Sequence, residues 1–231
     1  DGSRIAWTDG EGKVWTTADG GTESLPGNGF TSTLRFHPSG KQLAAIRTDG
    51  VIELWNLETK RKAEIPSGSM DPVATYHPDG SWLLVSRGND RLRLIRPEAP
   101  DRGHDVEGKR RPGSTFEFSP DGSRFAGGLD MNHVGVWETA TGKRSGPLLG
   151  SGGETISVHL RGRFAATVEV DMAIRIWDIA TGVQIGPPIR PPPVHPDFRL
   201  PRSVRRRRHS FLAPPAGRRR AKFQTPCDYN N

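Results

Sequence analysis

Short apolar stretches recur along the chain, separated by turn signals. Thr33-Leu34-Arg35-Phe36 alternates polar and apolar residues, as a strand with one buried face does. Pro38-Ser39-Gly40 follows. Proline presets φ there, and glycine accepts the left-handed backbone that closes a short hairpin. Leu43-Ala44-Ala45-Ile46 is then a continuous apolar run, suited to a strand covered on both faces. A turn at Asp49-Gly50 leads into Val51-Ile52-Glu53-Leu54-Trp55, and a fourth, weaker strand is expected near Ile65. Strand-sized segments at spacings of about 8–12 residues, with no helical periodicity between them, predict antiparallel sheet and an all-β fold.

The same order of segments returns about every 40 residues. Trp15, Trp55, Trp137 and Trp177 are 40, 82 and 40 residues apart, and Ile95 stands where the gap of 82 omits a tryptophan. Pro38-Ser39-Gly40, Pro78-Asp79-Gly80 and Pro120-Asp121-Gly122 share the beat. So do the segments after them: SRIAW at 3–7, KQLAA at 41–45, SWLLV at 81–85, SRFAG at 123–127 and GRFAA at 162–166. Four short strands per 40 residues is the arithmetic of a β-propeller blade.

Trp177-Asp178-Ile179-Ala180-Thr181-Gly182, Trp137-Glu138-Thr139-Ala140-Thr141-Gly142 and Trp55-Asn56-Leu57-Glu58-Thr59 resemble the Trp-Asp ending of WD40 repeats. An aspartate six residues before the tryptophan matches as well, at Asp9, Asp49 and Asp171. The resemblance covers about residues 1–189. It implies that these aspartates sit in tight turns and anchor a hydrogen-bond network within each blade. The family's Gly-His before the first strand is absent, and only Trp177 is followed by an aspartate. The family's His–Ser/Thr–Asp–Trp network is therefore expected to be incomplete.

Residues 1–189 hold four complete units and one incomplete unit, whose innermost strand is missing. The expectation is a partial WD40-type β-propeller belonging to a larger ring, with a closed small ring or a truncated product as alternatives. Residues 190–231 break the pattern. They carry 11 of the 33 Lys and Arg with only Asp197 and Asp228 as acids, and eight of the 20 prolines. The net charge of +7 thus belongs to this segment, because 22 basic residues meet 24 acidic ones before it. Such a stretch buries too little apolar area to offset its ordering entropy. It is expected to be a disordered basic tail or a reading frame translated out of register.

The motifs of chemistry are few. The chain has no phosphate-binding loop, HExxH helix, EF-hand loop or nucleophile elbow. The lone Cys227 gives no disulfide and no cysteine zinc site. That composition fits a reducing, cytoplasmic setting, and no apolar run of about 20 residues offers a membrane span. His37, His77 and His159 fall at one repeat position just after the first strand, which reads as repeat equivalence and not as a metal ring. Asp9, Asp49 and Asp171 read as turn anchors, not catalytic carboxylates. Trp15, Trp55, Trp137 and Trp177, together with Trp7 and Trp82, read as core. Lys109-Arg110-Arg111 reads as a solvated loop.

No catalytic, cofactor or metal site is expected, and no cofactor. The resemblance implies a non-catalytic scaffold on whose loops unidentified protein partners dock; bacterial relatives often follow a Ser/Thr kinase domain. One alternative is an enzymatic or periplasmic propeller that binds a small ligand in its channel. The other is nucleic-acid binding through the tail, with Arg205-Arg206-Arg207-Arg208 on phosphates and Phe198, Phe211 and Phe223 stacking on bases.

Overall fold

Apolar runs punctuated by Pro-X-Gly turns fold here as successive hairpins. The structure is a computed structural model that describes residues 4–8, 13–16, 21–25, 31–150 and 155–191. All of these lie in one compact unit, Asp1–Pro191. Among the described residues every regular element is a strand. The first sheet holds β1 (Arg4–Trp7), β2 (Lys13–Thr16) and β3 (Thr22–Ser24). The second holds β4 (Thr31–Phe36), β5 (Gln42–Arg47), β6 (Val51–Asn56) and β7 (Lys62–Pro66). The third holds β8 (Ala74–Tyr76), β9 (Leu83–Arg87), β10 (Arg91–Arg96) and β11 (Ala99–Asp105). The fourth holds β12 (Phe116–Phe118), β13 (Arg124–Gly128), β14 (His133–Glu138) and β15 (Leu149–Gly150). The fifth holds β16 (Thr155–Arg161), β17 (Phe164–Glu169) and β18 (Ile174–Asp178). In each sheet the strands pair antiparallel in chain order.

The register explains why both parities of the second and third strands are apolar. Leu43 faces Trp55, Leu83 faces Ile95, Phe125 faces Trp137 and Ala165 faces Trp177 across the central pair of their sheets. Directly opposed residues share a face, and their chain neighbours point the other way. Each sheet therefore has a front that carries the tryptophan, or Ile95 in the third sheet, and an aliphatic back. Ala44, Ile46, Ile52 and Leu54 on the second sheet's back pack against Leu83, Val85 and Ile95 on the third sheet's front. The third sheet's back, with Leu84, Leu92 and Leu94, packs against Phe116, Phe118, Phe125 and Trp137. The fourth sheet's back, with Ala126, Val134 and Val136, packs against Leu160, Ala165 and Trp177. Ala6 of the first sheet joins Leu43, Ala45 and Trp55 of the second. Each fully buried Leu or Ile contributes about 1.5–3 kcal/mol, so these four junctions hold the sheets together.

Glycine closes the hairpins as the sequence predicts. Gly80 and Gly122 have φ of 80° and 70°, a region that L side chains disfavour. A Cβ on either would overlap the imidazole of His37 or His77 respectively.

Several expectations need correction. Trp7 ends β1 with 39% of its surface exposed, so it is not core. Trp82 precedes β9 and is only half-buried, with the Arg96 guanidinium stacked 3.7 Å from its ring centroid. Lys109-Arg110-Arg111 lies in the connection between β11 and β12. GRFAA at 162–166 is out of step with its counterparts. Its third residue, Phe164, faces Asp178 and not Trp177, because the turn between β16 and β17 is shorter than its counterparts: Leu160 pairs with Ala165 where Phe36 pairs with Leu43. A one-residue slip reverses every side chain, which leaves Phe164 on the back face, 43% exposed.

Candidate functional site

The aspartates of the repeat motif cap turns. Asp49 Oδ1 accepts from the Val51 amide at 3.3 Å and from Arg47 Nε at 3.0 Å. Asp171 Oδ1 accepts from the Ala173 amide at 3.0 Å, and its other oxygen lies 2.8 Å from Arg190 Nη1. A side-chain oxygen that satisfies an amide two residues on is what a tight turn needs. Arg47 foremost holds the Asp49 carboxyl below its ordinary range, and the Ala173 amide foremost does so for Asp171. Asp130 plays the same part in the fourth sheet, accepting from the Asn132 amide at 2.8 Å and contacting His133 Nδ1 at 2.9 Å. It escapes the six-residue rule because it lies seven residues before Trp137. Asp9 lies outside the described residues.

Trp55, Trp137 and Trp177 are core, but their indole N–H groups find three different acceptors. Trp177 Nε1 donates to Thr167 Oγ1 at 3.0 Å, Trp55 Nε1 to Glu53 Oε2 at 2.9 Å and Trp137 Nε1 to the Glu107 carbonyl at 2.9 Å. Trp15 is described by its backbone, opposite Ile5 and Thr22. A buried N–H without a partner is costly, and each sheet meets that need with what its sequence offers. In the second sheet, Glu53 also binds Arg47 at 3.3 Å and Lys62 at 2.6 Å. In the fifth sheet the same pair of positions is reversed in sign, with Glu169 and Arg175 at 2.9 Å.

After the tryptophan, Asp178 Oδ1 accepts from the amides of Ala180 and Thr181 at 3.0 and 3.2 Å, and its carboxylate pairs with Arg163. That pairing foremost keeps Asp178 below the usual carboxylate range. Asn56 makes the equivalent two bonds, to Glu58 and Thr59 at 3.0 and 2.8 Å. An amide oxygen suffices because the turn uses an acceptor and not a charge.

Two histidines stitch neighbouring sheets. His37 Nε2 lies 3.0 Å from the Gly80 carbonyl, and His77 Nε2 lies 2.9 Å from that of Gly122. His159 departs from them: it lies within β16 and contacts Glu117 at 2.8 Å. Lys109-Arg110-Arg111 is not simply a solvated loop either. Arg110 is 2% exposed, and its Nη1 lies 3.0 Å from Asp71 Oδ2 while Nη2 lies 3.0 Å from Ser69 Oγ. Burial pulls the Asp71 carboxyl upward, but the Gly113 amide and Arg110 together hold it below its ordinary value.

Among the described residues, the structure brings none of the motif aspartates or tryptophans of different sheets into one cluster. Among the described residues no group of three or more His, Cys, Asp or Glu could hold a metal ion. No helix among them is long and apolar enough to cross a membrane. The concave feature closest to a site lies between β7 and the β9–β11 strands. It is a groove of about 270 Å³ lined by apolar Ile65, Pro66, Val85, Ile95 and Pro100 and by polar Ser86, Arg87, Arg93 and Asp101. Arg93 reaches Asp105 at 3.2 Å and Arg87 reaches it at 3.5 Å. These two arginines occupy the positions that hold Arg47 with Glu53 in the second sheet and Glu169 with Arg175 in the fifth. Here both partners are cations sharing Asp105, and nothing in the sequence motifs marks them. The tail residues Arg205–Arg208 and Cys227 lie outside the described residues. Compared with known proteins, the chain matches no family model and no curated protein.

Proposed function

We propose that the chain is a partial WD40-type β-propeller acting as a non-catalytic protein-interaction scaffold. The 40-residue beat and its Trp-Asp endings support the family reading, as do five consecutive meander sheets stacked back to front. The scaffold reading is carried by the groove between β7 and β9–β11. A groove lined by Ile65, Pro66, Val85, Ile95 and Pro100, with Arg87 and Arg93 beside Ser86 and Asp101, suits an extended protein segment bearing a carboxylate side chain, which a guanidinium pair binds through directed N–H donors. Arg87, with an exposed side chain and a single long contact to Asp105, is free to reorient toward such a partner. The motif carboxylates support the same reading, since turns and ion pairs occupy them.

The test is affinity capture from the source lysate with the full chain, compared with Arg87→Glu, followed by cross-linking to locate the contact. The scaffold reading expects a specific partner that cross-links near Pro100 and is lost with the variant. A small molecule that raises the melting temperature of a chain capturing no partner would overturn it in favour of a ligand-binding propeller.

A further inference from the structure

Among the described residues two sheet faces remain open, and they are the two halves of one junction. The fifth sheet's back carries Phe164, Ala166, Val168, Ile174 and Ile176. Phe164 is 43% and Ile174 37% exposed. Ala166, Val168, Ile174 and Ile176 match, strand for strand, Ala44, Ile46, Ile52 and Leu54 of the second sheet, which are buried under the third. At the opposite end of the series, the first sheet's front carries Ile5 at 48% and Trp7 at 39% exposed. In every internal junction an aliphatic back meets an aromatic or aliphatic front. The chain thus presents one unused back and one unused front.

We propose that these faces bind each other between two copies of the chain, the fifth sheet's back of one copy taking the first sheet's front of the next. The inference rests on the stacked sheets and not on the scaffold reading. Contact of two different patches is heterologous, so it propagates from copy to copy until geometry closes it. The occupant is a second copy because this chain itself supplies both complementary faces, continuing the packing used at its four internal junctions. Open apolar sheet faces and edges invite such pairing.

The test uses the full chain and two variants, Ile174→Lys and Trp7→Glu, each at an exposed position and each checked for an unchanged β spectrum and cooperative melting. Sedimentation velocity of the wild-type chain is expected to show mass rising with concentration beyond a dimer. Each variant alone is expected to be monomeric, because every copy lacks one half of the junction. Mixing the two restores one complete junction, so the mixture is expected to stop at a dimer. Three results would overturn the proposal. The first is a monomeric wild-type chain. The second is a Trp7→Glu chain that still associates, which points to pairing of two fifth sheets. The third is a mixture that stays monomeric.

Discussion

Arg110 and Asp71 meet 3.0 Å apart, with the guanidinium side chain wholly buried and the carboxylate half exposed. The loop after β7 and the loop after β11 are thereby joined across 39 residues of sequence. Removing the carboxylate strands a buried cation, and breaking such a pair costs about 3 kcal/mol or somewhat more. Asp71→Ala is therefore expected to lower the urea midpoint strongly. Arg110→Met, which removes the charge and keeps the bulk, is expected to cost less. Urea unfolding of both variants checks the order; equal costs would mean that the ion pair is not what holds the loops.

The contact of His77 with Gly122 makes a second prediction. Gly122→Ala adds a Cβ at a φ of 70° and against the imidazole, and is expected to destabilise by about 2–3 kcal/mol. His77→Ala loses one hydrogen bond and its packing, at about 1–2 kcal/mol. In the double variant the overlap disappears, so the costs should fall short of additivity, as a double-mutant cycle reads directly. Additive costs would place the two residues in separate environments.

Glu53 is the one buried carboxylate of the second sheet. It is 3% exposed and takes Trp55, Arg47 and Lys62 as partners. Glu53→Ala leaves an indole N–H and two cations short of an acceptor, at an expected cost of about 3 kcal/mol or more. Thr167→Val in the fifth sheet leaves the Trp177 N–H alone without its acceptor, at about 1–3 kcal/mol. Chemical denaturation of both variants tests this ranking.

Stability should fall in acid. Hydrogen bonds from Ser81 foremost, with His77 adjacent, hold Asp79 at about 2. Asp49, Asp121, Asp130, Asp171 and Asp178 are also held low. A carboxyl whose folded value lies below its unfolded value near 4 stabilises the fold above about pH 4 and loses that contribution as pH falls toward 2. The melting temperature is expected to be flat above about pH 5 and to drop between about pH 4 and 2. Asp79→Asn should shallow the drop. A melting temperature unchanged across that range would mean these turns carry no charge-dependent stability.

The sheets were legible because their signals are local. Pro78-Asp79-Gly80 dictates a hairpin, and the alternation at Thr33–Phe36 dictates a half-buried strand, wherever they occur. Ile95 in a tryptophan's place was legible from the beat alone. The slip at Phe164 was not, because it depends on a shorter turn between β16 and β17, which the motif GRFAA conceals. The burial of Arg110 was equally hidden. Lys109-Arg110-Arg111 has the composition of a solvated loop, and the carboxylate that draws Arg110 inside comes from Asp71, in another sheet's connection. The paired arginines of the groove, Arg87 and Arg93, lie on adjacent strands whose facing follows only from the register.

Native-state amide exchange on the full chain tests the central claim, five meander sheets stacked back to front, most directly. The account predicts slow exchange in blocks at β5–β6, β9–β10, β13–β14 and β17, returning about every 40 residues, with fast exchange at the turns between them. Protection confined to one region, or spread with no such period, would contradict it.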